Sequence, residues 1–341
     1  MRYPRPIPMT DSARSPAALP LAGGWCWFDR VEVLDRGAPP RVLSVADLPP
    51  DVIDRLTAPR APLAGLALDL PRLMGVLNIT PDSFSDGGRY LGTGAALSQA
   101  QAVADGGADI LDVGGESTRP GARPVPQSAE IARTAPLIGE LCRRRYPLPI
   151  SIDTRNAGVA LAALEAGALI VNDISALTHD PHLAPLAARS GAPVILMHAQ
   201  GTPETMQDDP RYADVLLDVF DALEVRIAAA EAAGIRRDRL VIDPGIGFGK
   251  TLAHNLALIR RLSLFHALGV PVLLGASRKR FIGAIGKEPQ ADRRMPGSVA
   301  VALAGLAQGA QIVRVHDVAA TRQAMALWQA IHIPGQQGDE A

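Results

Sequence analysis

Six times after Met74 the chain passes from an Ala- and Leu-rich stretch through a glycine into four or five apolar residues that end in a polar one. The unit reads ADGGADILDV, EAGALIVND, ARSGAPVILMH, EAAGIRRDRLVID, HALGVPVLLGAS and AQGAQIVRVH. Gly107, Gly167, Gly191, Gly234, Gly269 and Gly309 stand where a helix ends in a left-handed residue, a conformation glycine adopts without a Cβ penalty. The apolar runs are continuous rather than alternating, as in strands of a parallel sheet covered on both faces. Eight such runs can be counted, at 73–77, 109–113, 149–152, 169–172, 194–197, 240–242, 272–275 and 312–315. Eight β/α units over about 260 residues have the size and count of a closed (β/α)8 TIM barrel, an α/β fold. An open doubly wound sheet is the alternative, because periodicity alone does not show closure.

Residues 1–70 do not follow this repeat. They hold Trp25 and Trp27, a strand-like WCWFDRVEVL and the Pro-rich LPPDVIDRLTAPRAP, and read as an N-terminal extension, a short β element and helix packing on the barrel. The barrel is expected over 71–333, followed by a flexible tail at 334–341.

Composition narrows the partners. Lys plus Arg number 34 and Asp plus Glu 35, so the formal charge of −1 gives no basic excess for a phosphate backbone, and no nucleic acid is expected. The most apolar stretch, Val299–Val313, is shorter than about 18 residues and carries Gln308 and Gln311, so no membrane partner is expected either. The N-terminus is broken by prolines and has no apolar core of a secretory signal. Cys26 and Cys142 form no metal or redox pair, and a reducing, cytoplasmic compartment is expected.

In a barrel of this kind the active site is built at the C-terminal ends of the strands. There stand Asn78, Asp112 with Glu116, Asp153, Asn172 with Asp173, His198, Asp243, Ser277 with Lys279, and Arg314 with His316. Any one of them could be a helix cap; all eight strands delivering a polar side chain points to a site. Asp153, Asn172 and Asp243 offer acceptors to a ring with a row of N–H groups, and Lys279 can donate to a ring oxygen or nitrogen. Arg119, Arg314 and His316 suit phosphate. Two long βα loops, NITPDSFSDGGRY and GGESTRPGARP, exceed the ordinary 2–6 residues and read as loops that close over substrate, with Phe84 and Arg119 at their centres. GIGFGKT imitates a nucleotide loop, but Pro244 and Lys250 occupy positions that need glycine. His179 and His182 lack the further ligands of a metal site and read as a solvated helix start.

These segments together resemble the dihydropteroate synthase family over about Leu73–Trp328. The resemblance rests on MGVLNITPDSFSDGG, DVGGESTRPGA, SIDT, NDIS, MHAQGTP, DPGIGFGKT, GASRKRFIG and RVHDV, in that order. It implies a transferase that joins 4-aminobenzoate to 6-hydroxymethyl-7,8-dihydropterin diphosphate, releasing pyrophosphate with Mg²⁺, in folate biosynthesis; it makes the chain a sulfonamide target and a homodimer. By the same resemblance Asp153, Asn172, Asp243 and Lys279 hold the pterin, with Met197 and Phe248 packing nearby. Thr118, Arg119, Phe84, Ser277, Arg280, Arg314 and His316 serve the diphosphate and the aminobenzoate, and Asn78 serves the metal. Lys279, Arg314, His316 and Arg119 are then the catalytic set. Arg280 departs from the serine some members carry there, and Ala199 departs from their second methionine in MHMQG. The alternatives are a methyltetrahydrofolate:corrinoid methyltransferase, which shares the barrel without a diphosphate clamp, and a non-catalytic pterin-binding paralogue.

Overall fold

The computed structural model describes residues 3–79, 89–117, 125–202 and 204–333. The chain begins with the extension. β1 (Tyr3–Pro6), β4 (Arg30–Asp35) and β5 (Ala38–Ser44) form an antiparallel sheet in the order β1-β4-β5, beside a small pair, β2 (Leu19–Pro20) and β3 (Trp27–Phe28). The strand-like WCWFDRVEVL is thus split at Asp29 between two sheets. α1 (Pro50–Thr57) follows.

The barrel then runs β6 (Arg72–Asn78), α2 (Arg89–Asp105), β7 (Ile110–Gly114), α3 (Gln127–Arg143), β8 (Ile150–Asp153), α4 (Ala157–Glu165), β9 (Ile170–Asp173), α5 (Leu183–Ser190), β10 (Val194–Met197), α6 (Val215–Ala232), β11 (Leu240–Asp243), α7 (Leu252–Arg260), β12 (Leu273–Leu274), α8 (Arg280–Gly286), α9 (Met295–Leu306), β13 (Ile312–Val315) and α10 (Val318–His332). All eight expected strands form, in one parallel sheet ordered β11-β10-β9-β8-β7-β6-β13-β12. Its two edges meet, because Ile242 bridges to Val272 in parallel and the Ile242 N–H donates to the Pro271 carbonyl at 3.0 Å. The sheet is therefore closed, which decides for the barrel. The six expected helix-ending glycines all have positive φ, from 69° at Gly191 to 114° at Gly167.

Inside the barrel the period of two along a strand divides the interior into layers. Met74, Ile110, Ile170, Ile195, Val241, Leu273 and Ile312 form one dry cluster at the lower end. Leu63 and Leu68, from the segment before β6, join it as a plug, with Leu63 and Leu66 exchanging backbone bonds of 2.9 Å. Two residues further along the same inward faces come Asp112, Asn172, Met197, Asp243 and Arg314. On β7, β9, β11 and β13 the core thus turns from apolar to polar within two residues, towards the mouth.

The sheet of the extension lies against the helical layer rather than across the barrel end. Tyr3 donates to Asp221 of α6 at 3.0 Å, Arg36 pairs with Asp218 and Asp221, and Glu32 accepts from both Arg5 and Arg261. The Trp25 indole donates to the Leu306 carbonyl at 3.0 Å, and Arg60 donates to the carbonyl of the fully buried His266 at 3.0 Å. Phe28 and Leu56 are fully buried in the same core as the barrel helices. Burying each such side chain contributes about 1.5–3 kcal/mol. Deletion of residues 1–60 is therefore expected to lower the melting midpoint by about 10 °C or more, since roughly 2–4 °C accompanies each kcal/mol in a domain of this size. A truncated chain melting with the full one in a thermal scan would show that the extension carries no part of the fold's stability.

Candidate active site

Each polar strand end is fixed by its neighbours. Asp112, on β7 and fully buried, accepts from the Arg314 Nε at 2.6 Å and from the Asn172 Nδ2 at 3.1 Å, both on its Oδ2. The same guanidinium donates to Asp153 Oδ2 at 2.7 Å. One arginine on β13 thus bridges carboxylates on β7 and β8, and the amide on β9 is tied to the same oxygen. Asp243, ending β11, accepts the Gly245 N–H at 2.7 Å. Asn78 ends β6 beside Gly114, where a Cβ would stand 3.3 Å from its Oδ1.

Lys279 owes its position to a strained turn. Arg278 is a non-glycine residue at φ 60°, a conformation that costs about 1–3 kcal/mol and persists only where its surroundings impose it. Its N–H donates to Ser298 Oγ at 2.9 Å, its carbonyl accepts from Arg294 at 3.0 Å, and its guanidinium pairs with Asp317. The next residue, Lys279, lies 4.1 Å from the centroid of the Phe248 ring and donates to the Ile246 carbonyl. Ser277 Oγ accepts the His316 N–H at 3.2 Å and lies 3.1 Å from its Nδ1, which joins the seventh and eighth strand ends.

A cavity of about 970 Å³ opens at this mouth, lined among others by Asn78, Asp153, Phe248, Lys279, Arg314 and His316. Ser277 and the exposed Arg280 also line it. Asn172, Asp243 and Met197 do not; they are buried beside it, at the ends of β9, β11 and β10. Phe84, Thr118 and Arg119 lie outside the described residues, as does the expected tail 334–341. Two groups that the sequence reading gave no role stand at this mouth, Asp112 among its polar strand ends and Lys250 in the loop it dismissed. Asp112 is the hub of the ion network, and its inward position follows from standing two residues after Ile110. Lys250, hidden in the nucleotide-loop look-alike, is 3% exposed and borders the same cavity. Among the described residues no cluster of three His, Cys, Asp or Glu side chains could hold a metal ion by itself.

Charge is crowded here. Burial pushes Asp153 up to about 7, with Asp112 adding to the shift and Arg314 opposing it. Burial also raises Asp243, against the pull of Lys279. Burial brings Lys279 down to about 7, although Asp243 favours its charged form. Burial disfavours the Arg314 cation as well, but Asp112 and Asp153 outweigh it and hold the guanidinium firmly charged. A folded-state pKa near 7 against 3.8 for the free carboxyl means the folded chain binds more protons between these values, so stability falls as pH rises from about 4 to about 7. Asp153→Asn is expected to flatten that part of the melting midpoint's pH dependence. Identical slopes for wild type and variant would contradict a protonated Asp153.

Comparison with known proteins shows the family. A family model described as "Pterin binding enzyme" matches residues 74–316. The dihydropteroate synthase of Neisseria meningitidis serogroup B is 47% identical over 273 residues, covering 79% of this chain and 95% of that protein. That of Escherichia coli is 45% identical over 268 residues, covering 78% and 94%. Among solved structures, the Xanthomonas albilineans enzyme with 4-aminobenzoic acid superposes with a TM-score of 0.75 at 47% identity, covering 81% of this chain and 98% of that one. The same organism's enzyme in complex with 7,8-dihydropteroate gives 0.72 at 43% identity, covering 81% and 99%. The extension lies outside the matched family region, which starts at Met74, and from there through His316 the chain belongs to the pterin-binding enzymes and, within them, to the dihydropteroate synthase family.

Proposed function

We propose that the chain condenses 6-hydroxymethyl-7,8-dihydropterin diphosphate with 4-aminobenzoate, giving 7,8-dihydropteroate and pyrophosphate in folate biosynthesis. The observation that carries this reading is the bridged trio Asp112–Arg314–Asp153 at the foot of a cavity whose wall presents Lys279 and Phe248. Asp153, Asn172 and Asp243 accept the N–H groups of the pterin, Lys279 donates to its polar edge, and Met197 and Phe248 pack against the ring. The exocyclic carbon of such a ring ionises readily once its diphosphate is held, so the protein's work is positional and electrostatic. Arg314 and His316 face the diphosphate, with Ser277 orienting His316; for Arg119, Thr118 and Phe84 the family resemblance implies roles toward the diphosphate and the aminobenzoate. Arg280, at the rim, receives the aminobenzoate carboxylate, whose neutral amine then attacks the carbon. No side chain forms a covalent bond.

Mg²⁺ suits the donors present. It usually takes one or two protein oxygens and fills its shell with water and substrate phosphate, so a three-carboxylate cluster is not required. The Asn78 carboxamide oxygen at the mouth is a hard donor of that kind. When bound, the ion would neutralise charge on the diphosphate. A reducing, cytoplasmic setting is supported by Cys26 and Cys142, which are both free thiols. A homodimer is the assembly that the family resemblance implies. The methyltransferase alternative uses no diphosphate and has no counterpart among the relatives above.

Calorimetry with the pterin diphosphate and the bare hydroxymethylpterin, in Mg²⁺, tests the reading. The diphosphate is expected to bind the wild type more tightly. Arg314 compensates Asp112 and Asp153 as well, so its removal would disturb the pterin, and His316→Ala is the cleaner probe. It should erase about tenfold of the diphosphate advantage and leave the bare pterin unchanged. Asp243→Asn should instead weaken both ligands by about 1.5–3 kcal/mol, the worth of a charged hydrogen bond. A wild type with no preference for the diphosphate would overturn the synthase reading.

A further inference from the structure

The GIGFGK segment between β11 and α7 is not a phosphate loop, yet it is built with unusual care. Gly245, Gly247 and Gly249 all have positive φ, at 68°, 82° and 62°. A Cβ at Gly245 would stand 1.8 Å from the His198 carbonyl oxygen, one at Gly249 2.4 Å from that of Gln200, and one at Gly247 2.7 Å from the Lys279 Cδ. The alternating glycines let the loop lie flat between the end of β10 and the stem of Lys279. A glycine chain has little stiffness of its own, and here side chains supply it. The four successive carbonyls from Ile246 to Gly249 accept, in order, from Lys279, Gln207 (2.6 Å), Lys250 (3.0 Å) and Tyr212 (2.8 Å).

Lys250 is the cross-brace of this arrangement. Its Nζ, whose pKa burial lowers well below the ordinary lysine range against the pull of Asp243, lies within reach of three groups: the Phe248 carbonyl at 3.0 Å, the His198 Nδ1 at 3.0 Å and the His198 carbonyl at 3.3 Å. Burial and the nearby Lys250 push the His198 pKa down to about 3, so its ring is neutral and one of its two nitrogens is an acceptor. We infer that Lys250 is a positioning residue, which ties the Gly245–Gly249 loop to the end of β10 and thereby fixes the Ile246 carbonyl and the Phe248 ring that hold Lys279 against its substrate. The inference rests on the proposed pterin site and adds a residue to it. It accounts for a lysine at a position where a nucleotide loop would need glycine, and for its burial without a carboxylate within hydrogen-bond distance.

The test is a double-mutant cycle read by calorimetry with bare 6-hydroxymethylpterin, on full-length protein whose folding is checked by thermal melts. Lys250→Met should weaken the pterin about tenfold when Lys279 is present, and less than about twofold in a Lys279→Met background, because residues acting through one another are non-additive. In turnover the same variant should raise KM for the pterin diphosphate more than it lowers kcat. Equal weakening in both backgrounds, or unchanged binding by folded Lys250→Met, would overturn the role. Should Lys250→Met not fold, Tyr212→Phe removes only the bond to the Gly249 carbonyl. It should give a severalfold loss that also vanishes with Lys279→Met; an unchanged affinity or a loss that persists there would overturn the role equally. A wild type that binds no pterin overturns the site and this inference together, whereas a wild type that binds, with additive variants, overturns the inference alone.

Discussion

The guanidinium of Arg314, bridging Asp112 and Asp153, is the interaction on which the mouth of the barrel depends. A buried ion pair is costly to desolvate, and removing one partner typically costs about 3–5 kcal/mol because the other charge is left uncompensated. Here one cation serves two carboxylates from strands that are not its own neighbours, since β13 pairs with β6 and β12 while Asp112 and Asp153 come from β7 and β8. The bridge therefore crosses the interior and fixes the spacing of strand ends that backbone bonds alone join only around the circumference. Asn172, held on the same Asp112 oxygen, extends the constraint to β9.

That network exists because the layer beneath it is dry. The cluster of Met74, Ile110, Ile170, Ile195, Val241, Leu273 and Ile312, plugged by Leu63 and Leu68, excludes water from below and lowers the dielectric under the charges. Asp153 and Lys279 both shift towards 7 for this reason, one upward and one downward. Neither would do so at a solvated strand end. Arg314 meanwhile stays firmly charged, because Asp112 and Asp153 outweigh its burial.

Much of this was legible in the sequence, and the parts that were not have physical reasons. The helix-ending glycines and continuous apolar runs report local backbone geometry, so all eight strands could be counted; closure could not, because it depends on Ile242 meeting Val272 across a long separation. Residues at strand ends announced themselves by polarity against an apolar run. Asp112 was visible among them, but nothing local shows that it would accept from both Arg314 and Asn172 rather than cap a helix. Lys250 was masked by a motif with the right letters and the wrong glycines; its role depends on His198, which lies 52 residues away. The extension's aromatic residues suggested packing, whereas its docking on α6 through Asp218 and Asp221 is a contact between distant charges that periodicity does not encode.

Pyrophosphate release from the pterin diphosphate, followed with and without 4-aminobenzoate for the wild type and for Asp112→Asn, tests the central claim most directly. The account predicts that the folded wild type releases pyrophosphate in step with dihydropteroate formation when aminobenzoate is present. The folded Asp112→Asn variant should be slower by about tenfold or more, because it loses the charge that holds Arg314 in place. A wild type that releases no pyrophosphate under either condition, or an Asp112→Asn variant as fast as the wild type, would contradict it.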